Sequence, residues 1–392
     1  MLPRSLPVEL LKQILANDVL EQADLAACCL ASRTFLAIAR PLLYEAKALH
    51  LWRNKRATRK TWAWCSTIRA TPEVAALVRK VRLIVPSAGL SWPRDEHVPT
   101  DAETPTLISE VLEKCTHLEH LLGLEGSLHW KLPEPRPFLA TLRSLFYILF
   151  DDDAYSILCH TPNLQHLGLT LGHDWRVGVD PGAPAPTFSL SSLSLVGGFW
   201  NERSAEVFSV TLAKSHASLR SLQVPTSDVV KGLVDIAAFT SLETVSLSSA
   251  ERDASAAHLL SKCGDFKTLQ LRDVAGMTDE DDPALLPDLP LTAAALPASL
   301  KRIELPTSFG AYSGAVERLV DALPSHVRLD TLGVVPRRRH CEGRDGDEDQ
   351  GDHDHEDKEW VELDKRCREL NITLVESRGT ILPEDLLVAD ER

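Results

Sequence analysis

Apolar and polar positions recur in a six-residue figure, apolar-x-x-apolar-x-apolar, from residue 78 onward. It stands as Val78-Arg-Lys-Val81-Arg-Leu83, Leu164-Gln-His-Leu167-Gly-Leu169, Leu190-Ser-Ser-Leu193-Ser-Leu195 and Leu219-Arg-Ser-Leu222-Gln-Val224. It returns as Leu242-Glu-Thr-Val245-Ser-Leu247, Phe266-Lys-Thr-Leu269-Gln-Leu271, Leu300-Lys-Arg-Ile303-Glu-Leu305 and Leu329-Asp-Thr-Leu332-Gly-Val334. Weaker copies begin at Leu118 and Leu142. The last two apolar residues of each copy are two apart, so they point to one face of a short strand. Stretches of helical spacing lie between copies, at 107–115, 205–212, 316–323 and 360–370. Asn371–Val375 reads as a closing strand. One strand and one helix cannot bury a core alone, so the copies must stack on one another.

The ten copies start on average about 28 residues apart, at intervals from 22 to 40. That period and figure resemble a degenerate leucine-rich repeat. The predicted fold class is α/β: a short helical N-terminal domain followed by an irregular solenoid of one strand plus one helix per repeat. The expected division is a helical domain at 1–50, a basic helical linker at 51–77, repeats over 78–376 and a tail at 377–392.

The first 50 residues carry a different pattern. Pro7 suits the opening of a helix, and positions 8, 10, 11, 14 and 15 are spaced for one helical face. Asp24 is placed to cap or begin a second helix with Leu25, Cys28, Cys29 and Leu30 inward. A third follows Ser32, with Phe35, Leu36 and Ala39 on one side and Pro41 at its end. The strings Leu6-Pro7-x-Glu9-Leu10-Leu11-x-x-Ile14-Leu15, Asp24-Leu25, Cys29-Leu30-x-Ser32-Arg33-x-Phe35 and Ala39-Arg40-Pro41-Leu42-Leu43-Tyr44 together resemble an F-box. Phe35 stands where that family often has Trp, and Ala31 where it often has Val.

The resemblance implies docking on a Skp-type adaptor and, through it, a cullin–RING ubiquitin ligase. The repeats would then hold a protein substrate. Leu6, Pro7, Leu10, Ile14, Leu25 and Leu30 are too many apolar residues for three short helices to bury alone, and they form the expected adaptor contact. On the repeat strands, inward Leu167 and Leu169 leave His166, Gly168 and Thr170 outward. The same offset selects Lys80 and Arg82, Ser192 and Ser194, Ser221 and Gln223, Thr244 and Ser246, Thr268 and Gln270, and Arg302 and Glu304. These form the expected substrate-binding rows on a concave face. Being mostly hydroxyls and amides, they suit polar, peptide-like or modified substrates.

Composition and charge narrow the picture. The chain has 392 residues, 44% hydrophobic and 25% charged, with a net charge of −14. An acidic total argues against nucleic acid as the global partner. The segment Arg53–Arg82 is locally the reverse, with nine Lys or Arg, one acid and interleaved Trp52, Trp62 and Trp64. It reads as a linker whose rings form a joint. Nucleic-acid association through 53–82 is one alternative function; a non-degradative F-box scaffold is the other. Between Glu342 and Lys358 stand nine acids and two bases, a net −7, so 341–358 is expected to be a solvated, disordered insertion despite His340, His353 and His355. Residues 86–104 and 172–187 are rich in Pro, Gly and Asp and read as loops.

No 18-residue apolar run and no signal-peptide pattern is present. The eight cysteines are scattered without a C-x-x-C pair and read as reduced thiols of cytosol or nucleus. Cys115, Cys159 and Cys263 read as small buried residues at repeat corners. G-x-S-x-G, G-x-x-x-x-G-K-[ST] and H-E-x-x-H are all lacking. The expectation is a non-enzymatic protein with no catalytic residue, cofactor or metal, monomeric outside its complex.

Overall fold

The protein is seen here as a computed structural model. It describes residues 6–16, 20, 22–50, 55–84, 103–123, 136–149, 152–170, 184–196, 209–225, 238–248, 260–272, 296–305, 323, 325–334, 361 and 363–376. The chain forms two compact units: Met1–Thr170 with Gly178–Phe188 and Ile381–Arg392, and Leu171–Val177 with Ser189–Thr380. The loops expected at 86–104 and 172–187 lie outside the described residues, except 103–104, which open a helix, and 184–187. The acidic insertion, the tail and all of 316–323 but the last residue also lie outside. No helix among the described residues is long and apolar enough to cross a membrane.

The first unit opens with three helices: α1 (Val8–Leu15), α2 (Gln22–Ala31) and α3 (Arg33–Glu45). Pro7 stands just before α1, and its carbonyl accepts the Leu11 N–H at 3.1 Å. Ser32 caps α3: its Oγ accepts from the Phe35 N–H at 3.2 Å, satisfying one of the donors a helix start leaves unpaired. Pro41 does not end α3, as its missing N–H led us to expect; the helix runs four residues further and passes directly into a strand. Leu15, Leu25, Ile38 and Ala39 form the centre of this bundle, with Leu11, Leu20, Cys28, Cys29, Phe35, Leu42 and Leu43 packed around it.

Five strands follow in the same unit: β1 (Ala46–His50), β2 (Lys80–Ile84), β3 (His120–Leu122), β4 (Ser144–Leu149) and β5 (His166–Thr170). Each pairs with the next in parallel. Parallel neighbours need a long crossover, and helices supply it: α4 (Lys55–Ala70) and the turn α5 (Pro72–Ala75), then α6 (Glu103–Lys114), a 3-10 turn at Pro137–Thr141, and α7 (Asp152–Cys159). Val81, Leu83, Leu121, Leu145, Leu167 and Leu169 are buried.

The stack therefore begins one strand earlier than the repeat figure does. β1, α4 and α5 form a strand–helix unit of their own; Trp64, Cys65 and Ile68 of α4 are buried. The figure is hidden because Lys47 stands in register with Val81, where other copies carry an apolar residue. The Lys47 ammonium donates to Gln22 Oε1 on α2 at 3.2 Å, tying the helices to the sheet. An inward charge on a terminal strand also discourages further strand pairing.

The second unit continues the scheme with β6 (Ser192–Val196), β7 (Ser221–Pro225), β8 (Thr244–Ser248), β9 (Thr268–Arg272), β10 (Arg302–Leu305), β11 (Thr331–Val334) and β12 (Thr373–Glu376). All are parallel, in chain order and in register. Every strand from β2 to β11 begins at the third residue of its figure. Asn371, at φ 59°, turns the chain out of the last helical segment into β12.

A hydroxyl hooks neighbouring copies together. Thr141 Oγ1 donates to the Leu118 carbonyl at 2.8 Å, Ser218 Oγ to that of Leu190 at 2.7 Å, and Ser299 Oγ to that of Phe266 at 2.9 Å. In each case the residue before one figure reaches the first apolar residue of the figure before it. Asn163 to the Ala140 carbonyl at 2.7 Å and Ser241 to the Ala217 carbonyl at 2.8 Å repeat the device with an acceptor two residues earlier. The strand stack thus satisfies carbonyls at its corners that no ladder reaches.

Two glycines are fixed by close approach. Gly123 ends β3 at φ +77° with its N–H donating to the Phe146 carbonyl at 3.1 Å, and a Cβ there would meet the Leu83 carbonyl oxygen. Gly168 seats the Phe146 ring, and a Cβ would stand 2.4 Å from Phe146 Cδ1. Gly168 is thus a packing seat and not part of an outward binding row. β4 also carries a bulge between Leu145 and Ile148.

Candidate functional site

The N-terminal helices expose more apolar surface than they cover. Leu6, Leu10 and Ile14 are roughly half exposed, Pro7 is exposed, and Leu30 is 89% exposed. Leu10 and Ile14 are four apart on α1, so they share a face, while Leu11 and Leu15 pack inward. Leu25 departs from the expectation: at 9% exposure it belongs to the bundle's own centre, because α2 packs closely on α3. It lies beneath the exposed apolar face and does not line it. Val8 and Leu36 are exposed apolar residues that the motif strings did not single out. A short helix that is apolar on two faces needs a second body to cover one of them.

The strand rows exist in register. The first unit aligns Lys80, His120, Ser144 and His166; the second aligns Ser192, Ser221, Thr244 and Thr268, followed by Arg302, Thr331 and Thr373. A second line two residues on holds Gln223, Ser246 and Gln270, with Ser194 and Glu304 at its ends. Three of its members do not stand open as expected: Ser246 is 2% exposed, and Ser194 and the paired Glu304 are 9%. Strands only about 4.8 Å apart let a long neighbour wall in a short one, and glutamines flank Ser246. Lys80, Arg82, His166, Ser192, Gln223, Thr244, Gln270 and Arg302 are half-buried and keep an accessible edge.

The charged end of that line is internally paired. Glu304 accepts from Arg302 Nε at 2.7 Å and from Gln270 Nε2 at 2.9 Å. Among the described residues, Ser246 Oγ and His166 Nδ1 are buried without a partner. In the first unit His120 Nδ1 lies 2.9 Å from Ser144 Oγ. The two make the Ser–His half of a nucleophile–base couple. Yet Ser144 is 4% exposed, and the register puts the cation Lys80 on the other side of His120. An orienting carboxylate is what such a couple needs there. Burial holds the His120 imidazolium below its ordinary pKa, helped by Lys80, and burial does the same at His166.

The basic, aromatic segment is largely consumed by structure. Trp64 is 8% exposed and Trp62 half-buried, and among the described residues neither indole N–H has a partner, so α4 packs these rings more than it presents them. Arg69 pairs with Glu110 at 3.1 Å. Trp52 and Arg53 lie outside the described residues. Among the described residues no group of three or more His, Cys, Asp or Glu gathers to hold a metal. Burial pushes the thiols of Cys65, Cys115 and Cys263 up to about 12, which makes them inert packing groups.

One feature escaped the sequence reading. The residues just before most strands form a largely charged line along the strand-entry edge: Arg79, Glu119 and Arg143, then the uncharged Gln165, in the first unit, and Arg220, Glu243, Lys267, Lys301 and Asp330 in the second. Neighbours pair as Arg79–Glu119 at 3.2 Å, Arg143–Glu119 at 3.9 Å, Arg220–Glu243 at 4.0 Å and Lys301–Asp330 at 3.7 Å. Such exposed pairs add little stability, roughly 0–1 kcal/mol each. The signal was present as the second residue of eight of the ten figures, Gln165 and Ser191 being the uncharged ones, but it becomes a line only once the register is known. No known protein family and no curated protein matches the chain.

Proposed function

We propose that this chain is the substrate-recognition subunit of a Skp–cullin–F-box type ubiquitin ligase. In this reading α1–α3 dock the Skp-type adaptor and the half-buried polar rows of the strands hold a protein substrate. The observation that carries it is the exposed apolar set Leu6, Leu10, Ile14 and Leu30, on helices whose strings resemble an F-box. The protein does no chemistry itself. It raises the local concentration of substrate beside a ubiquitin-loaded enzyme, in cytosol or nucleus.

Substrate turnover tests this reading against a non-degradative scaffold. A protein that co-purifies with the full chain should accumulate when α1–α3 lose the adaptor through Leu10→Ala with Ile14→Ala. An unchanged half-life for every co-purifying protein supports the scaffold instead.

A further inference from the structure

A groove of about 350 Å³ runs along the strand-entry edge of the first unit, lined by Arg79, His117, Glu119, Arg143, Asn163 and Gln165. Glu119 stands between two guanidinium groups. Its Oε1 is 3.2 Å from Arg79 Nη1 and its Oε2 is 3.9 Å from Arg143 Nε. Among the described residues neither arginine meets a second carboxylate. Two guanidinium charges thus share one carboxylate, and the looser partner, Arg143, is more than half exposed.

We propose that this groove binds an extended peptide segment of a protein partner, with one Asp or Glu side chain of that segment on Arg143. The dimensions fit. The entry positions of β2 to β5 span three inter-strand spacings, about 14 Å, which is the reach of about four extended residues. The hydrogen-bonding groups fit as well. Asn163 Nδ2 is taken by the Ala140 carbonyl at 2.7 Å, which leaves its Oδ1 to accept a main-chain N–H. The charge selects the class of anion. One carboxylate neutralises the surplus guanidinium and makes the paired hydrogen bonds that Arg favours. A phosphate monoester brings about −1.5 to −2 charges and meets the Glu119 carboxylate in the same groove. Glu119 therefore acts as a filter that admits a carboxylate and opposes a phosphorylated residue. The groove does not depend on the adaptor reading, since it uses none of α1–α3.

The test uses the full chain and three fluorescein-labelled tetrapeptides, identical except for Glu, Gln or phosphoserine at the third position, read by anisotropy at low salt. The Glu peptide should bind about fivefold tighter than the Gln peptide, the worth of one charge-assisted contact at a partly exposed site. Arg143→Gln should erase that preference. Glu119→Gln should tighten the Glu peptide and let the phosphoserine peptide bind. Arg143 and Glu119 are on the surface, so circular dichroism should show both variants folded. Equal binding of the Glu and Gln peptides by the parent, no binding of either, or a preference for phosphoserine would overturn the proposal. So would an Arg143→Gln variant that discriminates as well as the parent.

Discussion

Replacing Thr141 with Val removes one hydroxyl and keeps the β-branched shape. In the folded chain that hydroxyl donates to the Leu118 carbonyl at 2.8 Å and shares its hydrogen with the Phe138 carbonyl at 2.9 Å. Leu118 is fully buried and Phe138 nearly so. One intramolecular hydrogen bond is worth about 0.5–1.5 kcal/mol net, and a buried acceptor left without a donor costs about 1–3 kcal/mol. Thr141 is itself half-buried, so water reaches part of the site. The expected loss is therefore about 1–2 kcal/mol. For a body of 150–250 residues each kcal/mol moves Tm by about 2–4 °C, which predicts a fall of roughly 2–8 °C for the first unit. Calorimetry resolves this, and hydrogen exchange at the Leu142 and Arg143 amides localises it. Ser218→Ala and Ser299→Ala remove the equivalent hooks in the second unit and should behave alike. Losses under about 0.3 kcal/mol at all three positions, where hydrogen bonds normally register more, would refute the idea that hydroxyl hooks hold successive copies together.

Gly168→Ala should destabilise the first unit by about 1–3 kcal/mol through overpacking, and Phe146→Leu in the same chain should relieve part of that loss; urea melts of the single and double variants check both. The lowered pKa values of His120 and His166 mean that the unfolded chain binds more protons near and below its ordinary histidine range. Their contribution is intact above about pH 6.5 and is lost as pH falls below it; His166→Asn should flatten the acid side of a stability profile. Cys65, Cys115 and Cys263 should resist a maleimide at pH 8 until the chain is unfolded, since burial holds their thiolates back; labelling counted by mass spectrometry before and after urea decides this.

The strands were legible because each needs two apolar residues two apart, and ten of them start at one fixed offset in the figure. β1 was not, because a terminal strand has a neighbour on one side only and tolerates Lys47 at an apolar position. α4 looked like a linker for the same reason: its charge lies on the outside, with Arg59 and Lys60 exposed, and its burial rests on Trp64, Cys65 and Ile68. Alternation gave the direction of the strand rows but not their depth, since the exposure of Ser246 depends on the length of Gln223 and Gln270 beside it. Leu25 was placed on the adaptor face because spacing names a helix face without saying which neighbour covers it; α3 does. The entry-edge charges and the hydroxyl hooks link residues some 23 to 40 positions apart, which local periodicity cannot see.

The most direct measurement of the central claim is calorimetric titration of the full chain with a purified Skp-type adaptor. The account predicts a one-to-one complex that is lost in Leu10→Ala with Ile14→Ala and kept in Arg143→Gln. The double variant should remain folded, because both side chains are about half exposed, and a few such anchors dominate an interface of this kind. No heat and no co-elution with the parent chain, or equal binding by the double variant, would contradict it.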